Sequence, residues 1–137
     1  MSRTIVVLPT YDEAENLPLI VPKILEQAGE LEVLVVDDDS PDGTAECLTE
    51  LAQHDRRVRC MLRIGRRGLA SACIEGMLAT TAAVVAVIDA DLQHDETRLP
   101  QMLELLRDPG LDIVVGSRYA GSGSIEGWDP SRARISR

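Results

Sequence analysis

The sequence predicts an α/β fold, a three-layer α/β/α sandwich around a mostly parallel central sheet. Three observations carry this expectation. Short β-branched apolar runs alternate with longer stretches of helical periodicity. The runs are apolar on both faces, as strands between two helical layers must be. Polar clusters follow the strand ends, where open parallel sheets bind their ligands. At 137 residues the chain makes one domain at most. Apolar residues are 45% and aromatics 2%, with no Phe, so the core is built from Val, Leu, Ile and Ala.

Taken in order, TIVVL (4–8) is a first strand that stops at Pro9. Residues 13–28 place Leu17, Ile20, Val21, Ile24, Leu25 and Ala28 on one helical stripe, with Thr10 and Glu13 spaced as a capping box. LEVLVV (31–36) is the second strand. Ser40 followed by Pro41 reads as N-cap and N1 of a second helix, whose inward face is Cys47, Leu48, Leu51 and Ala52. VRCML (58–62) is a short third strand, and Gly68 opens a helix that runs to about Thr80. AVVAVI (83–88) is the fourth strand, residues 97–107 a further helix, and DIVVG (112–116) a fifth strand. The glycine-rich stretch from Ser117 to Trp128 has no periodicity and reads as a loop, with a helix start near Pro130.

The formal charge of −9 excludes nonspecific nucleic-acid binding. An acidic chain that handles a phosphorylated ligand needs a divalent cation or a local group of arginines. Lys23 is the only lysine among 14 basic residues, so arginine would do that work. Cys47, Cys60 and Cys73 form no CxxC and read as small buried apolar residues of a reducing compartment. Ser2 and Arg3 lead straight into a strand, with no signal peptide pattern. The longest apolar stretch, Ala82 to Ile88, is far short of the roughly 18 residues a membrane helix needs. The expected location is therefore cytoplasmic.

VLVVDDDSPDG (33–43) ends a buried strand in three acids. A phosphoacceptor receiver would put its acidic pair after the first strand and a lysine after the fifth. Here the acids follow the second strand, Lys23 lies upstream, and Arg118 takes the fifth-strand position, so that reading fails. DADLQH (89–94) points elsewhere. Asp89 and Asp91 end an apolar strand, where their carboxylates are costly unless a cation or donor meets them. With Gln93 they offer three oxygen donors on one turn to a hard ion, Mg²⁺ or Mn²⁺. His94 reads as a surface residue or a support behind that turn.

PTYDEAENL, VVDDDSPDGT, GLASACIEGM, DADLQH and DIVVGSRY occur in order and at suitable spacing. Together they resemble family 2 glycosyltransferases of the GT-A fold, and within them the polyprenol-phosphate mannose synthase group. The similarity runs from Thr4 to Arg137. It implies that residues 1–137 are the N-terminal, nucleotide-sugar-binding part of such a domain, because these domains continue past GSRY. Pro9, Tyr11 and Glu13 then resemble the loop that packs on the nucleoside. Asp38 and the Val36 backbone match positions that read a guanine or uracil edge, and Asp37 a carboxylate that holds the turn. Asp39 matches a variable position. Asp89, Asp91 and Gln93 match the metal turn, with Ala90 beside the donor sugar nucleotide. Arg118 matches a phosphate-neutralising arginine. Arg132 and Ser136 match positions near the acceptor phosphate or the donor diphosphate, and Arg66, Arg67 and Gly68 a basic–Gly segment.

The implied reaction moves mannose from GDP-mannose to a membrane polyprenyl phosphate, with inversion. The implied catalytic pair is Asp91, which holds the metal, and Arg118. A candidate base is lacking after the fifth strand, where Glu126 and Asp129 lie in the glycine-rich loop. An acceptor phosphate with a second pKa of about 6 arrives ionised and needs none. The full-length protein is then expected to be peripheral at the cytoplasmic face of a membrane. Two other readings stay open: a UDP-glucose or other UDP-sugar transferase acting on a lipid phosphate or sugar, and an inactive nucleotide-binding module. The sequence does not set the oligomeric state.

Overall fold

The computed structural model describes residues 3–119. The chain divides into two units after Pro100. The first holds β1 (Thr4–Thr10), α1 (Leu17–Gln27), β2 (Leu31–Asp37), α2 (Thr44–His54), β3 (Val58–Leu62), α3 (Leu69–Leu78) and β4 (Val84–Val87). A 3-10 turn, Glu96–Arg98, then leads into α4 (Leu99–Leu105). All the strand pairs are parallel, in the order β3-β2-β1-β4. Chain order thus runs outward from β1 to β3 and then jumps back to the other side of β1. That jump makes β1 and β4 the switch point of the sheet.

Side chains alternate between the two faces of each strand. Ile5, Val7, Leu34 and Val36 form one face and bury against Ala72 of α3, with Met61, Ala82 and Val85 around them. The helix comes very close here, because a Cβ on Gly76 would stand 2.6 Å from Val7 Cγ1. Val6, Leu8, Val33 and Val35 form the opposite face and are fully buried. α1 and α2, which touch β2 and each other, supply the cover. Both buried faces agree with the three-layer expectation.

The element boundaries differ from expectation for local reasons. β1 continues through Pro9, which sits opposite Val36 in the ladder with β2. The carbonyl of Val7 faces β4 and that of Thr10 faces β2, so Pro9 faces the β4 side. Pairing with β4 has ended at Val7, and no ladder donor is needed there. α1 starts at Leu17, not at residue 13. The Thr10 hydroxyl donates to Asp37 instead of capping, and the Glu13 carbonyl closes a turn onto the amides of Asn16 and Leu17. α2 starts at Thr44 because Ser40 is occupied by Asp37, while Asp42 accepts from the Thr44 amide and hydroxyl.

The second unit contains the rest of α4 and the turns that follow. Arg107 pairs with Glu104 at 2.9 Å, and the Gly110 amide donates to Asp108. Residues 112–116 form no strand among the described residues. An apolar run becomes a strand only where it gains ladder hydrogen bonds, and Ile113 and Val115 are 77% and 79% exposed. The cysteines also depart from expectation: Cys60 is exposed and Cys47 and Cys73 are half-buried, all as free thiols. No helix among the described residues is long and apolar enough to cross a membrane.

Candidate functional site

The loops at the carboxyl ends of β1, β2 and β4 and the loop before α3 enclose a cleft of about 370 Å³ at the switch point. Pro9, Tyr11, Glu13, Asp38, Asp89, Ala90 and Asp91 line it, with Arg67, Gly68, Leu69 and Ala72 from the α3 side. Asp12, Asp39 and Leu92 are the non-glycine residues with positive φ among those described, at 57°, 57° and 62°. One lies in each of the three strand-end loops. Aspartate visits this conformation at modest cost; leucine rarely does, so the backbone strain sits on the DADLQ turn.

The three acids after β2 do three different things. Asp37 is fully buried and accepts from the Thr10 hydroxyl at 2.8 Å, the Ser40 amide at 2.9 Å and the Ser40 hydroxyl at 2.6 Å. Ser40 Oγ in turn accepts the Asp12 amide, which ties the β2 loop to the β1 loop. Asp37 is thus the carboxylate that holds the turn. Asp38 is also buried, and Oδ2 accepts the Gly68 amide at 2.7 Å while Oδ1 meets Arg63 Nη1 at 2.9 Å. Asp39 is exposed.

After β4, Asp91 Oδ1 accepts the Gln93 amide at 3.1 Å, which closes the metal-type turn on itself. The Asp89 amide donates to His94 Nδ1 at 3.2 Å, and Nε2 stands 3.7 Å from Asp89 Oδ2. His94 therefore braces the turn through the Asp89 backbone. Burial pushes the Glu13 carboxyl above its usual range, and the charges of Asp91, Asp42 and Asp89 push it further, against the Asn16 hydrogen bond. Carboxylates that repel one another across a cleft make a place for a cation. Among the described residues no group of three His, Cys, Asp or Glu side chains gathers to hold an ion alone. The donor set suits an ion such as Mg²⁺ or Mn²⁺, which binds through one or two carboxylates and completes its shell with water and substrate phosphate.

The remaining expected residues are distributed as follows. Val36 is buried beneath α3, and Gln93 is exposed on the turn; neither lines the cleft. Arg118 lies in the second unit, half-buried on the turn 117–119. Arg132, Ser136, Glu126, Asp129 and the helix start near Pro130 lie outside the described residues. Of the basic–Gly segment, Arg66 is held by Glu75 through two hydrogen bonds of 2.7–2.8 Å. Arg67 stacks over the Tyr11 ring at 4.6 Å from its centroid. Sequence reasoning missed Arg63, which is 1% exposed. The available signal was an arginine immediately after the strand VRCML, in a stretch that also holds Arg56, Arg57, Arg59, Arg66 and Arg67.

Fold and cleft together define an α/β protein with a polar cleft at the switch point of a parallel sheet. The sequence matches the profile of glycosyl transferase family 2 over residues 5–137, and the chain belongs to that family. It is 40% identical over 98% of its length to the polyprenol monophosphomannose synthase of Mycolicibacterium smegmatis, of which it covers 52%. It is also 40% identical over 96% of its length to the dolichol-phosphate mannosyltransferase of Pyrococcus furiosus, of which it covers 38%. The chain therefore spans about half or less of the length of these curated relatives. A mannosyltransferase from Pyrobaculum calidifontis, solved with GDP-Man and Mn²⁺, superposes with a TM-score of 0.68 at 32% identity, over 79% of this chain and 33% of that one. The fold is GT-A.

Proposed function

We propose that this chain is the donor-binding part of an inverting glycosyltransferase that moves mannose from GDP-mannose to a polyprenyl phosphate. The observation that carries this reading is that Asp89 and Asp91 line the switch-point cleft together with Tyr11, Glu13 and Asp38. The relatives named for polyprenol and dolichol phosphates, and the neighbour solved with GDP-Man and Mn²⁺, support the same donor and acceptor.

In this reading Tyr11 packs on the nucleoside, and Asp38 accepts from the base edge. Asp91 and Asp89, with Gln93 at the rim of the same turn, would hold Mg²⁺ or Mn²⁺, and the ion when bound would supply Lewis-acid neutralisation of charge on the departing diphosphate. Ala90, with a methyl for a side chain, leaves the wall between them open for the donor. Arg118 neutralises phosphate through its planar fork, and Arg132 and Ser136 serve the acceptor phosphate. Residues 1–137 form the nucleotide-sugar part of a longer catalytic domain. The lipid acceptor places the full-length enzyme at the cytoplasmic face of a membrane.

Calorimetric titration of GDP-mannose with and without Mn²⁺ tests the reading. Binding is expected to depend on Mn²⁺ and to weaken at least about tenfold in Asp91→Ala, a loss of some 1.4 kcal/mol. Metal-independent binding that survives the substitution would remove the paired aspartates from the site.

A further inference from the structure

Arg63 heads the fully buried side chains by volume, although it carries a full charge. A desolvated guanidinium is costly, and an apolar side chain would fill such a space with less penalty. What the arginine holds explains its presence. Nη1 meets Asp38 Oδ1 at 2.9 Å and donates to the Gly68 carbonyl at 3.2 Å, and Nη2 donates to Ser71 Oγ at 2.7 Å. Nε stands 3.3 Å from Glu75 Oε1, and the Arg63 amide donates to the Asp37 carbonyl at 2.8 Å. The Gly68 amide closes the ring by donating to Asp38 Oδ2 at 2.7 Å. Asp38 lines the cleft, whereas Arg63 stands behind it.

We propose that Arg63 is a positioning residue that sets donor-base selectivity by fixing the Asp38 carboxylate at the nucleoside end of the cleft. The inference rests on the donor reading above. An ionised carboxylate offers about four acceptor positions. Gly68 takes one on Oδ2, and Oδ1 faces Arg63 as a buried ion pair that accepts no hydrogen bond, so acceptor positions remain on both oxygens. Guanine presents two adjacent N–H donors on one edge, whereas uracil presents one. A carboxylate locked at a fixed angle rewards the two-donor edge; a loosened one does not.

The test is the ratio of GDP to UDP affinity, measured with Mn²⁺ by calorimetry on the full chain and on Arg63→Met and Arg63→Lys. Partial unfolding lowers both apparent affinities by the same folded fraction, so the ratio isolates positioning from stability. Wild type is expected to prefer GDP. Arg63→Met is expected to reduce that preference about tenfold or more, and Arg63→Lys, which keeps the charge but not the fork, to fall between. If Arg63→Met does not fold, the lysine variant alone carries the comparison. A wild type that binds neither nucleotide, or prefers UDP, overturns the donor reading and this role with it. A wild-type GDP preference that both variants retain overturns only the role of Arg63.

Discussion

Asp37 and Asp39 look alike in the sequence, and the structure separates them by burial. Asp37 receives donors from Thr10 and Ser40 on both oxygens, so an asparagine there would aim an NH₂ at a donor. Asp37→Asn is expected to lower unfolding free energy by about 3 kcal/mol, against within about 0.5 kcal/mol for exposed Asp39→Asn. Urea denaturation of the two variants checks the difference. The assignment of Asp37 to the turn and of Asp38 to a ligand was legible only through the family resemblance, because the residues alone read Ser40 as a helix N-cap and not as the donor to Asp37. Arg63 was not legible, because its partners Asp38, Ser71 and Glu75 are gathered by the sheet and not by sequence proximity.

Among the elements, α3 owes its place to a missing side chain. Gly76 packs on the sheet where a methyl group would meet Val7 and Val36 at 2.6 and 3.0 Å. Gly76→Ala gains helix propensity, about 0.8–1.0 kcal/mol, yet overpacking a core costs about 1–3 kcal/mol. A net fall in thermal stability is therefore expected by calorimetric scanning, with nucleotide affinity reduced as well, because α3 carries Leu69 and Ala72 into the cleft. The order of strands and helices was readable from periodicity, since β1 to β4 and α1 to α4 each overlap a predicted segment. The helix starts were not, because Thr10 and Ser40 found a buried carboxylate with a stronger claim on them than the helix ends. DIVVG misled for a related reason: apolar composition predicts a strand only when a partner edge completes it.

At the scale of the whole molecule, the carboxylates respond to pH in opposite directions. Glu32, Asp42, Asp55, Glu75 and Asp95 are held below their usual range, first by hydrogen bonds from Arg3, Thr44, Arg57, Arg66 and Thr97 respectively. The stability they add is present above the ordinary carboxylate pKa of about 4 and is lost as pH falls through their lowered values. Glu13 is raised, so its contribution is present below about pH 4 and is lost as pH rises through its folded value. The melting temperature is thus expected to fall below about pH 4. Glu13→Gln should melt above wild type at pH 7, with the difference gone near pH 4, because the neutral side chain keeps an acceptor for Asn16 and drops the repulsion from Asp91, Asp42 and Asp89. Gain of stability with loss of donor binding is the signature of a residue kept for function.

The most direct measurement is a crystal structure of the chain grown with GDP-mannose and Mn²⁺, with the metal located by its anomalous scattering. The expected result is one Mn²⁺ between the Asp89–Asp91 turn and the diphosphate, with the base beside Asp38 and Tyr11. A nucleotide bound outside the cleft, or a metal site that leaves Asp89 and Asp91 unengaged, would contradict the account.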